Sequence, residues 1–272
     1  MIELLWLAFI ITAAGTMAAG IWDLKTTEVP DEISAILAAL GIFIWFVFGA
    51  TTGNFVPLAL AAAFGAGLLL FGWALYKLGG WGGGDAKIFA AMFCILPLVG
   101  LFLDFIFNFF IVAVIYIILY VLIISLANKK IFSYWAKSIK SSALKMAGLS
   151  ILALALISLA VAAVFDPFFI SITILVIIID AMILFFTLAK VVEKKLFKQT
   201  VPASKLKLGD VLASSKQWIG IEKEQLAKLQ KSGKPVQIKE GIRFTMVFPI
   251  TLIITWFFGN VMFLFIQALV VG

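Results

Sequence analysis

Six stretches of this chain carry almost no charge over lengths that match or exceed a membrane-crossing helix: Leu4–Trp22, Ile33–Thr52, Val56–Leu78, Ile88–Ala127, Met146–Ala189 and Phe244–Ala268. A chain that is 64% apolar and 13% charged cannot hide them all in one soluble core. About 20 helical residues at 1.5 Å each cross the ~30 Å hydrocarbon layer of a bilayer. Four of the runs fit one crossing each, over 4–22, 33–52, 56–78 and 244–268. Ile88–Ala127 is twice as long as one crossing needs and must fold back. The expected turn lies at Asp104, after Pro97 and Gly100, which gives spans 86–103 and 105–127. The run within 146–189 is expected to turn at Asp166-Pro167. The predicted class is therefore an all-α polytopic membrane protein with about eight transmembrane helices, or six to seven if half of a long run is re-entrant.

Lysine and arginine set the orientation. With eight alternating spans, the segments 23–32, 79–87, 128–145 and 190–243 share one side. All 21 Lys and Arg fall there, once Lys77 is placed at the end of its span. The opposite side receives turns holding Asp104 and Asp166 and no basic residue. That partition makes the basic side cytoplasmic and puts both termini outside. The opening Met-Ile-Glu lacks a basic region, so the first span is not expected to be a cleaved signal. The net charge of +7 then reads as topology and attraction to anionic lipid, not as nucleic-acid binding.

Two segments have soluble character. Segment 128–145 carries five lysines with Tyr134 and Trp135 and reads as a basic amphipathic stretch on the membrane surface. Segment 190–243 is expected to form a small cytoplasmic α/β cap, with a helix over Glu222–Lys231 ended by Gly233 and a strand over Pro235–Lys239. The predicted organisation is a catalytic transmembrane core over 1–127, the basic loop 128–145, two spans in 146–189, the cap 190–243 and a last span 244–268.

With no histidine and one cysteine, Cys94, the chain cannot build a Ser-His-Asp or Cys-His triad, a zinc site on His or Cys, or an internal disulfide. Catalysis must rest on carboxylates, lysines or hydroxyls, and no metal or cofactor is expected. Asp23 closes the first span and Asp85 opens the fourth. Two spans lie between them, so both carboxylates return to the same membrane face at similar depth. Charge at that depth is costly and is a functional hypothesis by default. Asp85 follows Gly79-Gly80-Trp81-Gly82-Gly83-Gly84, a backbone with few side chains to hold a neighbour away. No Gly-Lys-Ser/Thr follows, which excludes a phosphate loop.

Gly82-Gly83-Gly84-Asp85 resembles the Gly-x-Gly-Asp motif of membrane aspartic proteases. Asp23-Leu24-Lys25-Thr26-Thr27-Glu28-Val29-Pro30-Asp31 resembles the first-aspartate motif of type IV prepilin peptidases. The runs Gly209–Leu212 and Ile238–Phe244 are similar to the tail of archaeal members. The resemblance is to the archaeal prepilin and prearchaellin (preflagellin) peptidases. It implies an aspartic endopeptidase that removes a short basic leader from pilin-like or archaellin precursors at the cytoplasmic face of the cell membrane. It also implies catalytic Asp23 and Asp85 and an active-site loop of Gly82, Gly83 and Gly84. Bacterial members usually carry a tetracysteine region and methylate the new N-terminus, so a single cysteine implies a peptidase without methyltransferase activity. Presenilin-like relatives have Tyr-Asp and Pro-Ala-Leu motifs, where this chain has Trp22-Asp23 and Phe248-Pro249-Ile250.

Hydrolysis by a pair of carboxylates needs one ionised and one protonated. Asp85 at a helix N-terminus is favoured as the ionised member and Asp23 at a helix C-terminus as the protonated one, with Lys25 and Lys87 near enough in sequence to shift either. The turn 23–32 is net −3 on a basic face, which makes Glu28, Asp31 and Glu32 candidates for binding a basic leader. The alternative is a solvated turn with Asp31 as a helix N-cap. Asp180 sits in mid-span and reads as a protonated, hydrogen-bonded group, or else a third active-site acid or ion site. Ala14, Gly15, Ala18, Ala19, Gly65 and Gly72 read as close helix packing. The rival function classes are presenilin-like cleavage within the bilayer and a proton- or cation-coupled transporter using Asp23, Asp85 and Asp180. No internal repeat links 1–127 with 128–272, as a transporter would often show.

Overall fold

The computed structural model describes residues 2–78, 81–139, 188–215 and 220–261, with isolated positions at 148, 152, 156, 263, 264 and 267. Asp166, Asp180 and most of the two spans expected within 146–189 lie outside the described residues. The helices in chain order are α1 (Ile2–Thr26), α2 (Asp31–Thr52), α3 (Val56–Lys77), α4 (Gly83–Ile95), α5 (Val99–Ala127) and α6 (Lys129–Ile139). A π-helical turn (Glu193–Phe197) leads into β1 (Lys198–Val201), followed by β2 (Val211–Leu212), α7 (Lys223–Ser232), β3 (Val236–Lys239) and α8 (Val247–Phe258). Among the described residues, α1, α2, α3 and α5 are long and apolar enough to cross a membrane.

Two of the expected spans are cut differently. The long run 88–127 breaks at Leu96–Leu98 and not at Asp104, which lies inside α5. Pro97 has no N–H to give and its ring disfavours helix at the preceding residue, whereas an aspartate can continue a helix where a partner meets it. That partner is Asn260, whose amide donates to Asp104 Oδ1 at 3.3 Å. The expected spans 86–103 and 105–127 are thus replaced by a 13-residue α4, about 20 Å long, and a 29-residue α5. The last run, 244–268, is interrupted after Phe258, where Gly259 takes φ +65. Asn108 of α5 stitches that break: its amide donates to Thr255 Oγ1 at 3.0 Å and to the Gly259 carbonyl at 2.7 Å, and its oxygen accepts from the Val261 N–H at 3.0 Å.

α4 is the centre of the bundle. Ala86 and every residue from Ile88 to Ile95 are buried, the pattern of a helix surrounded on all sides. α2 and α3 approach it through glycines. A Cβ on Gly41 would fall 2.6 Å from the Cys94 carbonyl oxygen, and one on Gly72 would fall 2.6 Å from the Ala86 Cβ. The Trp45 indole N–H donates to the Ile95 carbonyl at 2.9 Å, satisfying one of the acceptors a helix end leaves open. Rings from α4, α5 and α8 fill the other side: Phe89, Phe93, Phe105 and Phe248 are all buried in one cluster, with Trp81 and Phe109 packed on it. α1 joins α8 by the stacking of Phe9 on Trp256 at 4.5 Å.

The chain forms two compact units that do not follow the sequence segments: residues 1–116 with 200–272, and residues 117–199. The second unit has its own core of Val121, Ile131, Leu188 and Val192. There α6 buries Ile131 and leaves Lys130, Phe132 and Tyr134 exposed, with the Lys195 ammonium 4.4 Å from the Tyr134 ring centroid. Segment 190–243 is therefore divided between the units and is not a single cap. Its later part holds a three-stranded sheet in the order β1-β3-β2, in which Val211 pairs with Lys239 and Leu212 with Ile238, antiparallel. Ala203, Leu206, Ile221 and Ile238 form a small core beneath it. α7 stops at Gly233, whose φ of +65 suits glycine in the position after a helix.

Candidate active site

α1 carries Asp23 in its last turn. The helix ends because Thr27 adopts a left-handed φ of +63 while its N–H donates to the Asp23 carbonyl at 2.8 Å. Pro30 then leads into α2. α4 carries Asp85 in its first turn, with Gly82 as N-cap. Two of the three motif glycines have specific steric causes. A Cβ on Gly82 would lie 2.9 Å from Asp85 Oδ2, because the carboxylate folds back over the helix start. A Cβ on Gly84 would lie 2.9 Å from the Val29 Cβ, because the 23–32 turn presses on the mouth of α4. Gly83 has only ordinary contact with the Tyr76 ring, at 3.7 Å.

Asp23 and Asp85 meet at Thr245, two residues ahead of α8. The Thr245 N–H donates to Asp23 Oδ2 at 3.1 Å, and the Thr245 hydroxyl donates to Asp85 Oδ1 at 2.7 Å. Asp23 is 7% exposed and Thr245 1%. The carboxylates are close enough for the charge on Asp23 to act on Asp85, and Arg243 acts on Asp23. Asp85 lies outside the four long spans. Burial pushes its carboxyl up to about 7; the Thr245 hydrogen bond pulls against that rise, and the charge of Asp23 adds to it. Desolvation thus outweighs the helix-dipole effect expected at this helix start.

The acidic turn is arranged less simply than its sequence. Asp31 is the first residue of α2 and not its N-cap, which is Pro30. Its carboxylate takes the Lys87 ammonium at 2.6 Å, so Lys87 is directed away from the two central aspartates. Glu28 is exposed and its Oε1 would lie 2.8 Å from a Cβ on Gly209, so the Gly209-Asp210 turn rests against it. Glu32 is exposed in the first turn of α2. Among the described residues, no three His, Cys, Asp or Glu side chains gather as a metal site.

Sequence reasoning missed Thr245. Its signal is position: Thr251 and Thr255 lie within α8 and donate to the carbonyls four residues back, at 2.8 and 2.7 Å. Thr245 precedes the helix and its hydroxyl reaches across the bundle instead.

The pair of carboxylates, Asp23 buried and Asp85 half-buried, and the glycine-lined helix start beside it fall within a stretch that resembles known proteins. Residues 9–122 match the type IV leader peptidase family. The leader-peptidase match contains Asp23, Asp85 and all three motif glycines, and stops short of Thr245. A preflagellin peptidase of Methanococcus voltae is 30% identical over 91 residues, which is 34% of this chain. The alignment spans 39% of that relative's own length. No solved structure matches the chain.

Proposed function

We propose that this chain is a membrane-embedded aspartic endopeptidase of the leader-peptidase kind, with Asp23 and Asp85 as its catalytic pair. The observation that carries the reading is the meeting of two carboxylates, from helices separated in sequence by two others, on the single residue Thr245. The substrates are precursors with a short basic leader ahead of a hydrophobic helix, the pilin-like and archaellin precursors. Support for that class comes from the leader-peptidase match over 9–122 and from the excess of acid in the 23–32 turn. The site faces the cytoplasm, on the argument that every Lys and Arg falls on the side that holds both aspartates.

The chemistry follows from the pair. The ionised member of the pair takes a proton from water, and the resulting hydroxide attacks the scissile carbonyl carbon. The protonated member donates to the carbonyl oxygen, giving a neutral gem-diol. The first carboxyl then passes its proton to the leaving amine nitrogen, the second recovers one from a gem-diol hydroxyl, and the C–N bond breaks. No metal, cofactor or methyl donor enters. Phe89, one helical turn beyond Asp85 in α4, and Phe248, three residues beyond Thr245, lie in the buried aromatic cluster.

The test is cleavage of a basic-leader precursor by the full chain in detergent. Asp23→Asn and Asp85→Asn are each expected to abolish cleavage while inserting into membranes like the parent. Cleavage by either variant would overturn the reading.

A further inference from the structure

The two donors of Thr245 differ in kind. Its backbone N–H can only donate, so Asp23 Oδ2 is always an acceptor there, whatever side chain stands at 245. Its hydroxyl carries one proton, and that proton goes to Asp85 Oδ1 at 2.7 Å. In the surrounding helices the threonine hydroxyls are occupied by their own backbone: Thr12 donates to the Ala8 carbonyl and Thr16 to the Thr12 carbonyl, both at 2.7 Å. Thr245 has no helical turn behind it and is the described residue that joins both carboxylates.

We propose that Thr245 is the positioning residue of the pair: its hydroxyl holds Asp85 and favours an ionised carboxylate in the pair, while its N–H aims Asp23. The proposal rests on the aspartic-peptidase reading above. A hydroxyl donating to a carboxylate favours the charged form over the neutral one. In a part-buried site that bond is stronger than in water, and solvent replaces it only in part. The other charged or titratable groups facing this point are few. Asp23 faces it from α1. Arg243 acts on Asp23 from the segment entering α8. Tyr76 of α3 lies against Gly83. Lys87 of α4 is drawn off to Asp31 at the start of α2. The Thr245 hydroxyl bears on Asp23 as well as on Asp85, so removing it reports on what the hydroxyl does for the pair while the N–H to Asp23 stays in place.

Thr245→Val keeps the β-branched shape and the N–H, and Thr245→Ser restores the hydroxyl. In the full chain in detergent, with a basic-leader precursor, the expected result for Thr245→Val is a shift of the acidic limb of kcat against pH upward by about one pH unit or more. On the acid side of that limb kcat then falls about tenfold, with KM changed less than about twofold. Thr245→Ser is expected to return the limb to its parent position. If the valine variant does not fold, as judged by its elution and thermal melt in detergent, Thr245→Ala supplies the same comparison. A parent-like pH profile in the hydroxyl-free variant overturns the proposal, as does a serine variant as impaired as valine, which would assign the effect to packing. Asp23→Asn and Asp85→Asn run beside them separate the two levels. If both are inert while Thr245→Val is parent-like, only the Thr245 proposal falls. If either aspartate variant cleaves, the catalytic pair falls and Thr245 with it.

Discussion

The two ends of α8 are both polar junctions inside an apolar bundle, and they are built on opposite terms. At the far end, Asn108 makes three hydrogen bonds around the break at Gly259, and Asn260 reaches Asp104. Donors and acceptors are matched there, so the junction stabilises a broken helix and leaves no group to do chemistry. At the near end, two carboxylates share the two donors of one threonine. Four carboxylate oxygens share two donors, and burial raises the affinity of Asp85 for a proton. A satisfied polar cluster marks structure, and an under-supplied one that is still buried marks reactivity.

The sharpest way to break this comparison is to exchange the readouts. Asp85→Asn is expected to lower cleavage by about a thousandfold or more with little loss of thermal stability in detergent. Asn108→Leu is expected to do the reverse. It strands the Gly259 carbonyl and the Val261 N–H, each worth about 1–3 kcal/mol when left unpaired, so the melting temperature falls while the folded fraction still cleaves. An Asn108 variant with parent stability and no activity would move the catalytic boundary to the far end.

The next effect distinguishes the glycines at the near end. Gly84→Ala is expected to reduce cleavage strongly, since its methyl would meet Val29 and push the 23–32 turn off α4. Gly83→Ala, with only a ring edge at 3.7 Å, should remain within a few-fold of the parent. Equal losses at the two positions would show that the motif needs flexibility and not close approach.

A smaller effect concerns pH. The carboxyl of Asp85 is raised in the fold from 3.8 to about 7. The folded state therefore binds a proton that the unfolded state has lost. The stability from that proton is fully present below the unfolded value and disappears as pH rises through the folded value. Melts in detergent are expected to fall in temperature between about pH 4 and 7, and Asp85→Asn should remove most of that slope. A slope unchanged by the substitution would place the titration elsewhere.

The smallest expected change lies in the acidic turn. Asp31 already holds Lys87, so Asp31→Asn should barely alter KM for a basic-leader precursor. Glu28→Gln with Glu32→Gln should raise KM several-fold, at about 0.2–1 kcal/mol per charge, less at high salt. If the double variant binds a neutral-leader precursor just as poorly, the turn does not read charge.

Much of this protein was legible before any coordinates. Apolar runs long enough to cross lipid dictate helices there, because backbone groups in hydrocarbon must bond within their own segment. The order of Asp23 and Asp85, with two spans between, already returned both acids to one face. The tertiary structure decided what depends on neighbours. Pro97 against Asp104 as the breaking point was settled by which residue finds a partner across the bundle: Asp104 meets Asn260 and stays helical. Thr245 was invisible among similar threonines because a hydroxyl's partner depends on whether a helical carbonyl lies four residues behind it, and that depends on where α8 begins. Lys87 pairing with Asp31, and burial overriding the helix dipole at Asp85, are likewise facts of packing. Sequence sets which groups must be buried or exposed; only the fold sets which of them share a hydrogen bond.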